Sequence, residues 1–332
     1  MIGSHIDTVR DAGRYDGALG ALAALSVVEG LAAQGRRLDV AIEIVAFGDE
    51  EGVRFPHTLT GSRGLVGVNE PEALAQKDGD GVSMRDALKA FGGDPDHLGA
   101  ARAEGVAAFV ELHIEQGPVL EAEARPLGVV TAINGATRLS AVVTGSAGHA
   151  GASPMNLRRD ALAAAAEMIL AIEARARGEE ELVATVGRLD VEPGAVNVIP
   201  GRARFTIDVR APLDEPRRRA VADIAAAMQA IARRRGVAFE LTPTHEAAGY
   251  VCHPKIVAGL AAAVVAVGAD PRLLPSGAGH DTMVMGQRWP AGMLFVRCKG
   301  GVSHNPAESI SEKDCAIALA ALTRFVEDFR AF

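Results

Sequence analysis

Apolar positions recur at helical spacing through LGALAALSVVEGLAAQ, from Leu19 to Gln34, and Gly35 closes the run as a C-terminal cap does. The next segment, VAIEIVAFGDEEG, is β-branched and apolar until it breaks into acids, which predicts a buried strand delivering carboxylates at its C-terminal end. AAFVELHIEQG repeats that design with a histidine. In open α/β sheets ligands gather at the carboxyl ends of strands, so both segments point to one site.

From about residue 135 the pattern changes. Strands are predicted at TRLSAVVTG, ELVATVGRLDV, ARFTIDVRA and VAFELTP, with helices over RRDALAAAAEMILAIEARA and EPRRRAVADIAAAMQAIARRR. The order is βαββαβ, the split βαβ or ferredoxin-like arrangement, which forms a compact unit of its own. The α/β pattern then returns with a helix from Pro254, a strand at GMLFVRCKG and a closing helix at EKDCAIALAALTRFVEDFRA. The expected organisation is therefore an α/β domain made of residues 1–134 and 245–332, with residues 135–244 inserted as a second domain.

A length of 332 residues suits two domains, and 48% hydrophobic with 23% charged residues excludes a mainly disordered chain. The net charge of −8 argues against nucleic acid as a partner. Cys252, Cys298 and Cys315 are too few and too widely spaced for a disulfide framework or a zinc ribbon, which fits a reducing cytoplasm. No membrane segment is expected, because no long uncharged apolar run occurs and Glu167 and Glu173 interrupt the most apolar helix. The sequence also lacks a G-x-G-x-x-G fingerprint.

Candidate chemistry clusters at the predicted strand ends. GSHID sets His5 and Asp7 two apart, where an aspartate can fix the tautomer of a metal-binding histidine or where both can be plain surface residues. Asp16 precedes the first helix and reads equally as its N-cap. Asp49, Glu50 and Glu51 repel one another, which calls for a compensating cation unless the turn is simply solvated. A metal hydrolase needs one carboxylate as ligand and another to take a proton from water, and Glu50 and Glu51 can divide those tasks. His113 and His304 follow at further strand ends. Singly each reads as structural; five candidate ligands in such positions do not. Imidazole and carboxylate without thiolate suit Zn, Mn, Co or Ni.

Taken in order, GSHIDTV, GRYDG, FGDEEGVRFP, GSRGLVG, ELHIEQGPVLE, GHAGASPM, NVIPG, DVRAP, SGAGHD and SHNPAES resemble the amidase/carbamoylase branch of the M20 dinuclear metallohydrolases. That branch comprises N-carbamoyl-L-amino-acid hydrolases, allantoate amidohydrolases and β-ureidopropionases, and the likeness runs over nearly the whole chain. It implies a mixed-sheet catalytic domain with an inserted ferredoxin-like lid and dimerisation domain. Two divalent metal ions per subunit are implied, Zn or Mn, with Co or Ni as alternatives. His5, Asp16 and His113 would hold one ion, and Asp16 as a bridge with Glu51 and His304 the other. Glu50 would be the general base, with Asp7 orienting His5.

The resemblance further implies that Gln116 contacts substrate, and that His149, Asn197 and Arg210 of the lid reach the active site of a partner subunit in a homodimer. Arg210 would pair with a substrate carboxylate, His149 would polarise the scissile carbonyl, and Arg138 would be a second substrate contact. His280 and Asp281 would shape the pocket, while His57, His97, His245 and His253 read as structural. The implied substrate is a small ureido or carbamoyl carboxylate, cleaved at a C–N bond with release of ammonia and carbon dioxide; FGDEEGVRFP with NGATR inclines towards allantoate. The rivals are an M20 peptidase or aminoacylase, and an inactive dimeric binding protein. The family carries a further segment ahead of GSHIDTV, so His5 and Asp7 are expected near a free end, with too few residues before them to complete a strand.

Overall fold

The computed structural model describes residues 1–68 and 70–331. In chain order the first stretch carries β1 (Ile2–His5), α1 (Ala18–Ala33), β2 (Ile44–Phe47), α2 (Thr60–Val66), α3 (Met84–Phe91), β3 (Phe109–Ile114), α4 (Val119–Ala122) and β4 (Leu127–Ile133). There follow β5 (Gly135–Thr144), β6 (Gly148–His149), α5 (Ala161–Arg177), β7 (Val183–Thr185), β8 (Leu189–Glu192), β9 (Val198–Ile199), β10 (Arg202–Ala211), α6 (Asp214–Arg235), β11 (Ala238–Ala247) and β12 (Tyr250–Val251). The chain closes with α7 (Pro254–Ala266), β13 (Arg272–Ser276), α8 (Asp281–Met285), β14 (Ala291–Val296) and α9 (Glu312–Asp328).

Two compact units result, Met1–Ile133 with Cys252–Phe332, and Asn134–Val251. The second unit runs past residue 244, because β11 stays paired with β5 to Ala247, across a shift of register between Pro243 and His245.

In the first unit the strands run β4-β14-β3-β1-β2, with β13 on the other edge of β4. β1 lies parallel to both β2 and β3, and β14 parallel to β3, whereas β4 is antiparallel to β14. The fold is thus α/β with a mixed sheet. Every residue of β3 and β14 is buried, as their apolar runs require of central parallel strands. Helices α1, α7 and α9 share one core with these strands, while α2 and α8 pack together and against β2, β3 and β14. The shared direction of β1, β2, β3 and β14 puts their carboxyl ends along one edge.

β1 overturns the expectation that GSHID is too short to anchor itself. Its four residues are all buried, pair with Ile44–Phe47 of β2, and meet Val110 of β3 at Ile2. The Met1 amino group donates to Ala108 O at 2.8 Å.

In the second unit the order is β11-β5-β10-β7, with β8 pairing the other end of β10, all antiparallel. The predicted strand ELVATVGRLDV is therefore two strands, interrupted at residues 186–188 around Gly187. β10 alternates buried and exposed positions, and its inward Ala203, Phe205, Ile207 and Val209 pack with α5 and α6 in a separate core. Among the described residues no helix is long and apolar enough to cross a membrane.

Candidate active site

The edge formed by β1, β2, β3 and β14 gathers the predicted ligands of the first unit. β1 ends on His5, β2 runs into the acidic turn, β3 carries His113 one residue from its end, and the loop after β14 carries His304. His5, Asp16 and His113 offer ligand atoms within 4.8 Å of one another, as do Asp16, Glu51 and His304. Asp16 belongs to both groups. It lies 3.2 Å from His113 Nε2 through Oδ1 and 3.1 Å from His304 Nε2 through Oδ2. The structure also decides between its two readings: α1 has Gly17 as N-cap and no side-chain cap, so the Asp16 carboxylate serves the cluster. Gly17, at φ 65°, lets the chain pass the His5 ring, where a Cβ would lie 2.3 Å from Nδ1.

The hydrogen bonds around the imidazoles fit a cation. His5 Nδ1 donates to Asp7 O and His113 Nδ1 to Ile114 O, both at 2.9 Å, so each ring turns an Nε2 lone pair inward. Those two Nε2 atoms are 3.3 Å apart beside Asp16, with His5, Asp16 and His113 each no more than 2% exposed. Two facing lone pairs repel unless a proton or metal ion lies between them. The cluster attracts positive charge accordingly. His113 is pushed up to about 9, because the hydrogen bond and charge of Asp16 outweigh the opposing effect of burial. Glu51 Oε1 is buried without a hydrogen-bond partner, and burial, aided by the charge of Asp16, pushes Glu51 up to about 6. These are donors and orphaned acceptors a divalent cation would satisfy.

Asp7 acts differently from expectation. Its backbone carbonyl, not its carboxylate, holds His5; the nearer carboxylate oxygen is 3.8 Å from Nδ1. The carboxylate instead accepts the backbone N–H groups of Glu50 and Glu51, each at 3.1 Å, and so fixes the acidic turn. Glu50 shares a group with His5 and Glu51, and burial, then the charges of Asp281 and Glu51, hold its carboxyl well above the usual range. Gln116 Nε2 donates to both oxygens of Asp16, at 3.2 and 3.3 Å, and to Ser303 Oγ at 3.0 Å.

Sequence reasoning missed two buried acids that support this edge. Glu111, a charge within the apolar run of β3, accepts from Ser4 Oγ at 2.7 Å and from Thr282 N and Oγ1 at 3.0 and 2.7 Å. Glu308 binds the backbone at Asp16. His280, expected to shape the pocket, is buried, bonds Ser276 Oγ at 2.7 Å and lies against His113 with ring centroids 4.6 Å apart. His57 bridges Thr60 and Glu70, and His97 pairs with Asp94 on the surface.

The remaining predicted contacts belong to the second unit. His149 Nδ1 accepts N–H groups from Gly151 and Ala152 at 3.0 and 3.1 Å, which leaves its Nε2 as the proton-bearing nitrogen. Asn197 is exposed and its backbone carbonyl accepts from Ala150 N at 2.9 Å, beside the β6–β9 pair that carries His149. Arg210 grips Asp208 through Nε and Nη2 at 2.8 and 3.0 Å, and Arg138 Nε reaches the same carboxylate at 3.0 Å.

A family model described as peptidase family M20/M25/M40 matches residues 1–328. The chain belongs to the M20 family. Among the relatives of this M20 chain, an N-carbamoyl-L-amino acid amidohydrolase of Geobacillus stearothermophilus is 44% identical over 324 residues, 97% of this chain and 79% of that protein. A probable allantoate deiminase of Oryza sativa subsp. japonica is 42% identical over 362 residues, 98% of this chain and 74% of that protein. A crystal structure of an amidase of the hydantoinase/carbamoylase family from Burkholderia multivorans superposes with a TM-score of 0.92 at 34% identity, covering 97% of this chain and 79% of that one. The M20 chain is accordingly a metallohydrolase of the amidohydrolase kind, with candidate metal-holding groups at the edge described above.

Proposed function

We propose that the protein hydrolyses a ureido or carbamoyl C–N bond of a small carboxylate substrate, of the allantoate or N-carbamoyl-L-amino-acid type. The observation that carries this reading is the convergence of His5 and His113 Nε2 on Asp16, beside the acidic pair Glu50–Glu51, in a chain closely similar to enzymes named for those substrates. His5, Asp16 and His113 would hold one divalent ion, and Asp16, Glu51 and His304 a second, with Zn or Mn as the leading metals. Bound ions supply positive charge that acidifies water and polarises a carbonyl.

The chain's own groups do the rest. Glu50 takes the proton of the attacking water and returns it to the leaving nitrogen; its elevated pKa suits a group that must both accept and donate. Asp7 holds that turn still through the two N–H groups it accepts. The inserted unit is read as a ferredoxin-like lid and dimerisation domain, supported by its β11-β5-β10-β7 order with α5 and α6 in one core. On it, Arg210 and Arg138, aligned by Asp208, bind the substrate carboxylate, and His149 Nε2–H and Asn197 bind its carbonyl in the active site of a partner subunit. Gln116 contacts substrate from the first unit. The three free cysteines agree with a cytoplasmic setting.

The test is a panel of allantoate, N-carbamoyl amino acids, N-acyl amino acids and dipeptides, run with Zn, Mn, Co and Ni. Turnover of a ureido substrate is expected, with Glu50→Gln lowering kcat by at least about a hundredfold while metal content is retained. Turnover confined to dipeptides would overturn the substrate reading, and an active Glu50→Gln protein would remove Glu50 as the base.

A further inference from the structure

Glu308 lies in the SHNPAES loop and is only 4% exposed. Backbone and hydroxyl donors satisfy its carboxylate. Oε1 accepts the N–H groups of Tyr15 and Asp16, at 2.9 and 3.1 Å, and Oε2 accepts Ser303 Oγ at 3.0 Å. Ser303 Oγ in turn accepts from Gln116 Nε2 at 3.0 Å. One side chain thus grips the backbone of Asp16 and, through Ser303, the residue next to His304.

His304 stands at φ 53°, a conformation that non-glycine residues hold only where the surroundings impose it. The loop supplies such restraint through Glu308 N–H to Asn305 O at 3.0 Å and Ala307 N–H to Asn305 Oδ1 at 2.9 Å, with Glu308 tying the whole turn to the Asp16 loop. Gly13 is shaped to this contact. A Cβ there would fall 2.2 Å from Glu308 Oε1 and 2.3 Å from its Cβ.

We infer that Glu308 is a positioning residue that joins the Asp16 loop to the His304 loop and so sets the geometry of the Asp16–Glu51–His304 site. His5 and His113 are held by separate carbonyls, so this site depends on Glu308 more than the His5–Asp16–His113 site does. The inference rests on the metal-binding reading given above. Groups that orient metal ligands typically govern affinity by about 10–100-fold.

The experiment measures ion stoichiometry by elemental analysis, and the affinity of each ion by chelator competition with Co, for wild type, Glu308→Ala, Glu308→Gln and Gly13→Ala. Melting temperatures are recorded in parallel. Glu308→Ala should weaken one of two ions by at least about tenfold and the other, which shares Asp16, by distinctly less. Gly13→Ala should do the same with the carboxylate still present but displaced. Glu308→Gln should recover most of the affinity, because its carbonyl oxygen can still accept both N–H groups and its amide can donate to Ser303. Two ions held at wild-type affinity in both Glu308→Ala and Gly13→Ala would overturn the inference, as would equal weakening of both ions with a fallen melting temperature. If Glu308→Ala does not fold, Gly13→Ala and Glu308→Gln decide. A wild-type protein that binds no ion would instead defeat the metal-binding reading itself, and the inference with it.

Discussion

At the residue scale, the candidate site is a cluster of buried acids and imidazoles that could hold a metal ion. Glu51 shows the consequence most directly. Burial and neighbouring Asp16 push it up to about 6 from an ordinary 4.5, so the folded chain holds its proton more tightly than the unfolded chain does. Stability from this group is therefore greatest below about pH 4.5 and falls as pH rises to about 6. Glu50 and Asp281, both raised by burial, act in the same direction. His5 and His280, both lowered by burial, act the other way between about pH 5 and 7, so the effect of Glu51 is isolated by substitution: the change in melting temperature from about pH 5 to pH 7 should be more favourable in metal-stripped Glu51→Gln than in metal-stripped wild type. Thermal scans of the two stripped proteins check this; an identical change in both would contradict it.

At the scale of elements, the acidic turn is held by the segment entering α2. The N–H groups of Leu59, Thr60 and Gly61 donate to the carbonyls of Glu50, Asp49 and Gly48, each at 3.1 Å. Asp49 and Leu59 both sit at positive φ, 55° and 61°, so this pairing holds two uncommon backbone conformations in place. Gly61 allows the close approach: a Cβ there would lie 3.0 Å from Gly48 O and 3.1 Å from Gly48 N. Gly61→Ala is expected to shift the turn by a few tenths of an ångström and lower kcat by about ten- to a hundredfold, with KM little changed. Steady-state kinetics on the best substrate of the panel measure it. Unchanged kcat would show that the turn is positioned by Asp7 alone.

At the scale of the whole molecule, each unit carries its own core, and the second closes on itself through a buried arginine. Arg217, 0% exposed, donates to Asp214 and Glu246 at 3.0 and 2.9 Å and to Ala247 O at 2.6 Å. Glu246 also accepts from Thr137, and Asp214 from Gly249 N, so β5, the end of β11 and the start of α6 meet at one point. A Cβ on Gly135 would fall 2.6 Å from Gly249 N. Removing the guanidinium takes away hydrogen bonds to two carboxylates that water can still reach, so Arg217→Ala should destabilise the second unit by about 1.5–3 kcal/mol. Denaturant unfolding should then show an early transition. A loss under about 1 kcal/mol would mean that the network is solvated and dispensable.

Much of the fold was legible locally. β-branched runs that end in His, Asp or Glu announced buried strands with chemistry at their carboxyl ends, and the change of pattern near residue 135 announced an insert. The residue types also narrowed the expected chemistry, since imidazoles and carboxylates without thiolates suit a particular class of cation. What the sequence could not supply is which donor meets which acceptor. Asp16 reads equally as a helix cap until His113 and His304 stand beside it. Asp7 stabilises His5 through its carbonyl and the acidic turn through its carboxylate, which spacing alone does not distinguish. Arg210 holds Asp208 because strand alternation puts them on one face. SHNPAES gave no sign of what Glu308 does within it, because its partner Tyr15 lies 293 residues away along the chain. Local sequence thus determined the elements and the kinds of ligand, through backbone preference and periodic burial. Only the tertiary structure, by bringing distant loops within hydrogen-bond range, decided how each side chain serves the site.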